Sequence, residues 1–202
     1  MKNNFFFKKH FANIYEKSSK KSKVSSQILY GEKFKILSKT KNWLKIKTSC
    51  DSYIGYIKNQ NYADKFNPTH KVFKLKSKIF AKSEFKKFNE TKNYLPFASK
   101  ISIIKDNKKF VEYEKNKWLK KSDIKNIHHI EENYLKILKL FLNTKYIWGG
   151  KSYRGIDCSA IIQLFFYYNG KFYPRDTKDQ IKYLKKKKKK KKFKKKKKKK
   201  KI

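Results

Sequence analysis

Cysteine, arginine, proline and glycine are all scarce in this chain of 202 residues, with two, two, three and six copies. Two cysteines, Cys50 and Cys158, are too few and too far apart for a disulfide scaffold or a cysteine metal site. None of His10, His70, His128 and His129 stands at zinc-ligand spacing from them. Long apolar runs are missing as well. The N-terminal "MKNNFFFKKHFANIY" holds three consecutive phenylalanines, too short for the apolar part of a secretory signal, and no later segment approaches a membrane span. The expectation is a soluble, unexported, cytoplasmic protein without a metal centre.

Acidic residues are few too, 15 against 57 basic, for a formal charge of +42. Sixteen of the lysines sit in the tail, Lys185–Lys192 and Lys194–Lys201, yet the other 41 basic residues still outnumber the acids. Such an excess often marks a nucleic-acid or anionic-surface partner. Here arginine, the residue suited to forked phosphate and base contacts, occurs only at 154 and 175. Lys, Phe, Ile, Asn and Tyr also share adenine- and thymine-rich codons, so the bias reads as genomic. No specific nucleic-acid partner is expected. With 38% hydrophobic and 17% aromatic residues, a packed core is within reach.

From Phe11 to Lys125 the chain reads as short strands. "KFKILSK" and "NWLKIKT" alternate apolar and polar positions, and "YIGYIK" follows a turn-like "SCDS". Tyr30–Ile46 then aligns without gaps on Phe97–Tyr113, which sets Phe34, Ile36, Leu37, Trp43 and Leu44 on Ile101, Ile103, Ile104, Phe110 and Val111. "GYIK" (Gly55–Lys58) likewise matches "KWLK" (Lys117–Lys120). One supersecondary unit is used twice. The hairpin with its short return strand resembles bacterial SH3-like domains, small barrels that commonly precede cell-wall hydrolases. Trp43, Trp118 and neighbouring aromatics could line a groove, though alternating aromatics belong more often to a core.

After Asp123 the period changes. Ile127, Ile130, Tyr134, Ile137, Leu138, Phe141 and Leu142 recur at spacings of three and four, which predicts one amphipathic helix ended by Asn143 and Thr144, with His128 and His129 exposed near its start. A second helix follows Gly155: Ala160–Tyr168 is almost wholly apolar and Gly170 closes it. Cys158 falls in its first turn beside Asp157 and Ser159, both natural at a helix start. A thiol there faces the positive end of the helix dipole and free N–H groups, which favour thiolate and can hold an oxyanion. Gly149, Gly150 and Gly155 allow sharp turns and close substrate approach. This is the layout of a cysteine nucleophile.

"YIWGGKSYRGIDCSAIIQLFFYYNG", continuing into "FYPRDTKDQ", closely resembles the NlpC-type (NlpC/p-sixty) cysteine peptidases, papain-like enzymes of bacterial cell-wall peptides. The resemblance covers Asn133 to Leu184, the N-terminal half of that domain. It implies Cys158 as nucleophile, Tyr146 with its hydroxyl near the reacting carbonyl, and Asp157 and Ser159 lining the site for the free amine of a murein peptide. The implied reaction is hydrolysis of a stem-peptide amide, typically between D-glutamate and the diamino acid, through a thioester. No cofactor is implied. Pro174, Arg175, Asp176 and Thr177 read as architectural, with Thr177 and Gln180 as a capping box and Arg175 tethering the turn.

In that family the histidine base and its orienting residue lie downstream of the cysteine. No histidine follows Cys158 here. The expected architecture is therefore mixed: SH3-like domains over 11–65 and 70–125, the helical half of an α+β papain-like domain over 126–184, and a disordered poly-Lys tail over 185–202. On this reading the chain is C-terminally truncated, the helix Ile161–Tyr168 lacks its covering sheet, and activity fails for want of a base. The tail reads either as a basic arm or as translation of an adenine tract in which the frame was lost; its onset where the family's sheet is due favours the second. The alternative function is non-catalytic binding of wall peptide by the SH3-like pair.

Overall fold

The computed structural model describes residues 4–85 and 87–199, by backbone alone from 189 onward. Strands β1 (Asn4–Phe7), β2 (Phe11–Tyr15), β3 (Val24–Leu29), β4 (Lys33–Lys39), β5 (Trp43–Thr48), β6 (Ile54–Lys58) and β7 (Tyr62–Ala63) form one antiparallel sheet in the order β3-β2-β6-β5-β4-β1-β7. Phe7, Ile14, Ile28, Phe34, Leu44, Ile46 and Ile57 fill its core. This sheet begins seven residues before the expected boundary at 11, because the Phe5–Phe7 run is itself a strand paired to β4 and β7.

A second module follows: β8 (His70–Val72), β9 (Lys76–Lys82), β10 (Phe88–Pro96), β11 (Lys100–Ile101), β12 (Lys105–Asp106), β13 (Phe110–Glu114), β14 (Lys117–Lys120) and β15 (Ile124–Asn126). It divides into a five-stranded sheet, β10-β9-β14-β13-β12, and a three-stranded one, β11-β8-β15. The repeat survives folding in backbone detail. Gly31 (φ +74°) and its counterpart Ala98 (φ +65°) both take the left-handed conformation. Gly31 N donates to Phe7 O at 2.8 Å, and Ala98 N to Val72 O at 3.0 Å. Phe34, Leu44, Ile101 and Val111 are buried, whereas Leu37 and Ile104, one step out of the alternation, face outward. Trp118 is core, packed edge-on against Phe88, and Trp43 stands edge-on to Tyr15 at 5.5 Å.

The long helix expected from Ile127 is one short α1, Tyr134–Leu140. Polar side chains claim the preceding backbone: Asn126 accepts from His128 N, Asn169 from Glu131 N, and Asn133 caps α1 by accepting from Leu135 N. His128 and His129 therefore lie in the turn before α1. A two-strand hairpin, β16 (Lys151–Ser152) and β17 (Gly155–Ile156), leads into α2 (Cys158–Tyr168). Helix α2 is covered on one side after all. Ala160, Leu164, Tyr167 and Tyr168 pack on Leu29, Phe97 and Ala98 from the two β modules and on Ile137 and Phe141 from the α1 region. Its other side leaves Ile162 exposed.

Helix α3 runs Thr177–Lys199, so most of the lysine run expected to be disordered continues a helix; residues 200–202 lie outside the described residues. Lysine is a good helix former, which allows that continuation once a first turn exists. No described helix is long and apolar enough to cross a membrane.

Candidate active site

Cys158 is the first residue of α2, and its side chain is exposed. Asp157 is the N-cap. Its Oδ1 accepts from Ala160 N at 2.8 Å and from Ser159 Oγ at 3.0 Å, while its Oδ2 accepts from Gly149 N at 3.0 Å. Gly149 is held at φ +74°, and a Cβ there would meet Val24 O of the first module at 2.6 Å. The glycine thus lets the loop before Cys158 lie against β3 and aim an N–H at the cap.

Arg175, 2% exposed, completes the arrangement. Its Nη1 and Nη2 reach the two oxygens of Asp157 at 3.0 and 2.6 Å, Nη1 also reaches Ser159 Oγ at 2.8 Å, and Nε reaches Ser26 Oγ at 3.0 Å. Burial works to raise the pKa of Asp157, but Arg175, the Ala160 N–H and the Ser159 hydroxyl together hold it below the usual carboxylate value. Arg175 does more than tether a turn. The capping box expected between Thr177 and Gln180 is not formed: the Gln180 amide instead donates to Ser159 O and Pro174 O, both at 2.9 Å.

The cleft at Cys158 has a volume of about 290 Å³. Tyr146 and Trp148 line it from the loop before the hairpin, Asp176 from the turn before α3, and Glu16 and Tyr53 from the first β module. Tyr146, Asp157, Cys158 and Ser159 are thus all brought to one place. Sequence reading missed Glu16 and Tyr53, which no local motif marks and which stand more than 100 residues upstream. Asp176 carried a signal, since it lies inside the Pro-Arg-Asp-Thr run. Burial pushes its carboxyl up, Arg175 opposes that, and Asp179, Asp157 and Asp51 push the same way as burial; the net shift is upward. Burial likewise raises the Tyr53 hydroxyl, which stays a protonated donor at neutral pH.

No histidine lines this cleft. His129 Nδ1 lies 3.0 Å from Tyr168 Oη at the far end of α2, about 15 Å along the helix axis from Cys158 by the usual rise per residue. His10 lines a different cleft and His70 contacts Thr69. Among the described residues, no group of three or more His, Cys, Asp and Glu side chains converges to hold a metal ion.

Residues 143–200 match the model of the NlpC/P60 family, and residues 14–61 match that of the bacterial dipeptidyl-peptidase Sh3 domain. The segment from 143 onward is thus NlpC/P60-like. Two curated relatives share 23% identity with the chain: the gamma-D-glutamyl-L-lysine dipeptidyl-peptidase of Bacillus subtilis (strain 168), over 79% of this chain, and dipeptidyl-peptidase 6 of Lysinibacillus sphaericus, over 83%. The alignments span 58% and 70% of those relatives' lengths. The fold matches the crystal structure of an NlpC/P60 family protein from Bacillus cereus ATCC 10987, with TM-score 0.71 at 17% identity, covering 88% of this chain and 76% of that one. Next to this NlpC/P60-like segment, the first β module forms part of the cleft wall through Glu16 and Tyr53.

Proposed function

We propose that this chain is built as a cysteine peptidase of murein stem peptides, opening the amide between D-glutamate and the following diamino acid, and that as written it does not turn over. The observation that carries the reading is Cys158 at the start of α2, exposed inside a cleft with Tyr146, Trp148, Glu16 and Asp176. In the reaction, Cys158 Sγ attacks the amide carbonyl, the first-turn N–H groups of α2 and Tyr146 receive the oxyanion, the amine leaves with a proton, and water releases the thioester.

Both curated relatives are named dipeptidyl-peptidases, which cut after a dipeptide with a free amino end. Two carboxylates in a cleft the size of a dipeptide suit such an ammonium group. Asp157 was the expected amine contact, but its oxygens are committed to Arg175, Gly149, Ala160 and Ser159. Asp176 and Glu16 take that role in this proposal, and Ser159 shapes the wall beside them. Among the described residues no histidine lines this cleft to accept the Cys158 proton, and in this proposal the acyl step stalls for want of that base.

The test is the full chain assayed on L-alanyl-γ-D-glutamyl-L-lysine, with dipeptide binding followed in parallel by calorimetry. Binding of L-alanyl-γ-D-glutamate that falls roughly tenfold or more in Asp176→Asn, without turnover, is the expected result. Turnover that vanishes in Cys158→Ala would overturn the inactivity; absence of any binding would overturn the substrate class.

A further inference from the structure

A second cleft, of about 540 Å³, opens where both β modules meet the β16–β17 turn, and it shares no lining residue with the Cys158 cleft. Five cationic side chains line it, Lys8, Lys9, Lys92, Lys117 and Arg154, and no carboxylate does. Two of these are already engaged. Lys8 and Lys117 pair with Glu114 at 3.0 and 2.6 Å, and the Tyr30 hydroxyl donates to the same carboxylate at 2.6 Å. Among the described residues, Lys9, Lys92 and Arg154 have no ion-pair partner.

Arg154 is one of only two arginines in the chain, and the other is buried on Asp157. Its guanidinium stands 5.7 Å from the centre of the Phe11 ring. Phe11 is braced edge-on by Tyr153 at 5.8 Å, and Tyr153 packs at a tilt against Tyr94 at 5.9 Å. A planar cation resting on a braced aromatic wall is preorganised for an oxyanion. Beside it stand Asn61 and Asn93, whose side-chain amides make no hydrogen bond among the described residues and face a partly aromatic wall. Amides that pair with hydroxyls, a forked cation and an aromatic wall together describe a charged sugar.

We propose that this cleft binds an anionic saccharide, with Arg154 and Lys9 taking its phosphate or carboxylate, Asn61 and Asn93 its hydroxyls, and Phe11 and Tyr153 the apolar side of its ring. A nucleic acid is the less fitting occupant, since a polyanion follows a continuous charged track, whereas the cations here gather around one cleft of about 540 Å³, a size suited to a small ligand.

Calorimetric titration of the full chain with glucose 6-phosphate, glucuronate, glucose, inorganic phosphate and a short single-stranded oligonucleotide tests this. Glucose 6-phosphate or glucuronate should saturate one site, roughly tenfold or more tighter than glucose or inorganic phosphate, and whichever of the two binds better names the anion's chemistry. Arg154→Ala should weaken that binding by a similar factor while its thermal unfolding matches wild type, and Tyr153→Ala should weaken it several-fold. Cys158→Ala should bind as wild type does, which separates this site from the peptidase reading. The proposal is overturned if neither anionic sugar saturates at about 10 mM, if inorganic phosphate binds as tightly as the sugars, if the oligonucleotide displaces them, or if Arg154→Ala binds unchanged.

Discussion

Arg175 grips both oxygens of Asp157, at 3.0 and 2.6 Å, and so clamps the start of the cysteine helix to the turn that opens α3. The same guanidinium reaches Ser26 on β3, so one side chain ties the helical part to the first β module. Eighteen residues separate the pair, and nothing in the local pattern of either segment announces it.

Removing Arg175 leaves Asp157 buried without its cation. Arg175→Ala should therefore lower unfolding stability by about 3–5 kcal/mol, the usual range for breaking a buried pair. Arg175→Lys should recover only part of the loss, because an ammonium cannot span two oxygens. Urea unfolding of the two variants reads this directly. A loss in Arg175→Ala within about 1 kcal/mol of wild type would show that the clamp is not structural.

The clamp should also be sensitive to acid. The folded pKa of Asp157 lies below its unfolded value, so its contribution is complete above the unfolded value near 3.9 and is lost as pH falls through the folded one. Wild type should exceed Asp157→Asn in stability at neutral pH, and the gap should narrow only below about pH 4. A gap that stays constant down to about pH 2 would mean the carboxylate charge contributes nothing.

Lys151 and Glu32, each 1% exposed, pair at 3.1 Å between the β16–β17 hairpin and the first module. Burial works against the Lys151 charge, but Glu32 outweighs it and the ammonium is held above its usual pKa. Lys151→Met should cost about 3–5 kcal/mol by stranding the Glu32 carboxylate. Adding Glu32→Gln should restore much of that, since the amide oxygen can still accept from Leu29 N. Failure of the double variant to recover stability in urea would assign the cost to packing instead.

The two cysteines should react differently. Cys50 donates its thiol to Glu32 at 3.0 Å, and burial first, then the Glu32 and Asp51 charges, push its pKa well up. Cys158 is exposed in its cleft. Iodoacetamide on folded protein should label Cys158 and spare Cys50, with both labelled in denaturant. Peptide mass spectrometry distinguishes the sites, and equal labelling of the native protein would contradict the raised, Glu32-bonded state of the half-buried Cys50 thiol.

Much of this molecule is written locally. Alternation in "KFKILSK" and its repeat place Phe34, Leu44, Ile101 and Val111 inside because side chains on a strand alternate faces. The apolar run after Asp157 makes α2, and the short polar side chain before it makes the cap, so Cys158 at a helix start was legible from neighbours alone. The same logic failed at Ile127–Asn133, where a helical spacing of apolar residues lost to Asn126, Asn133 and Asn169, which claim the backbone N–H groups for turns.

Only the folded chain decided which distant groups meet. Glu16 and Tyr53 join the Cys158 cleft, Lys151 finds Glu32, and Arg175 finds Asp157, because docking the β modules against α2 brings them within reach. Periodicity and capping are properties of a few consecutive residues. Ion pairs and clefts arise from the relative placement of whole elements, which packing sets and short patterns do not record.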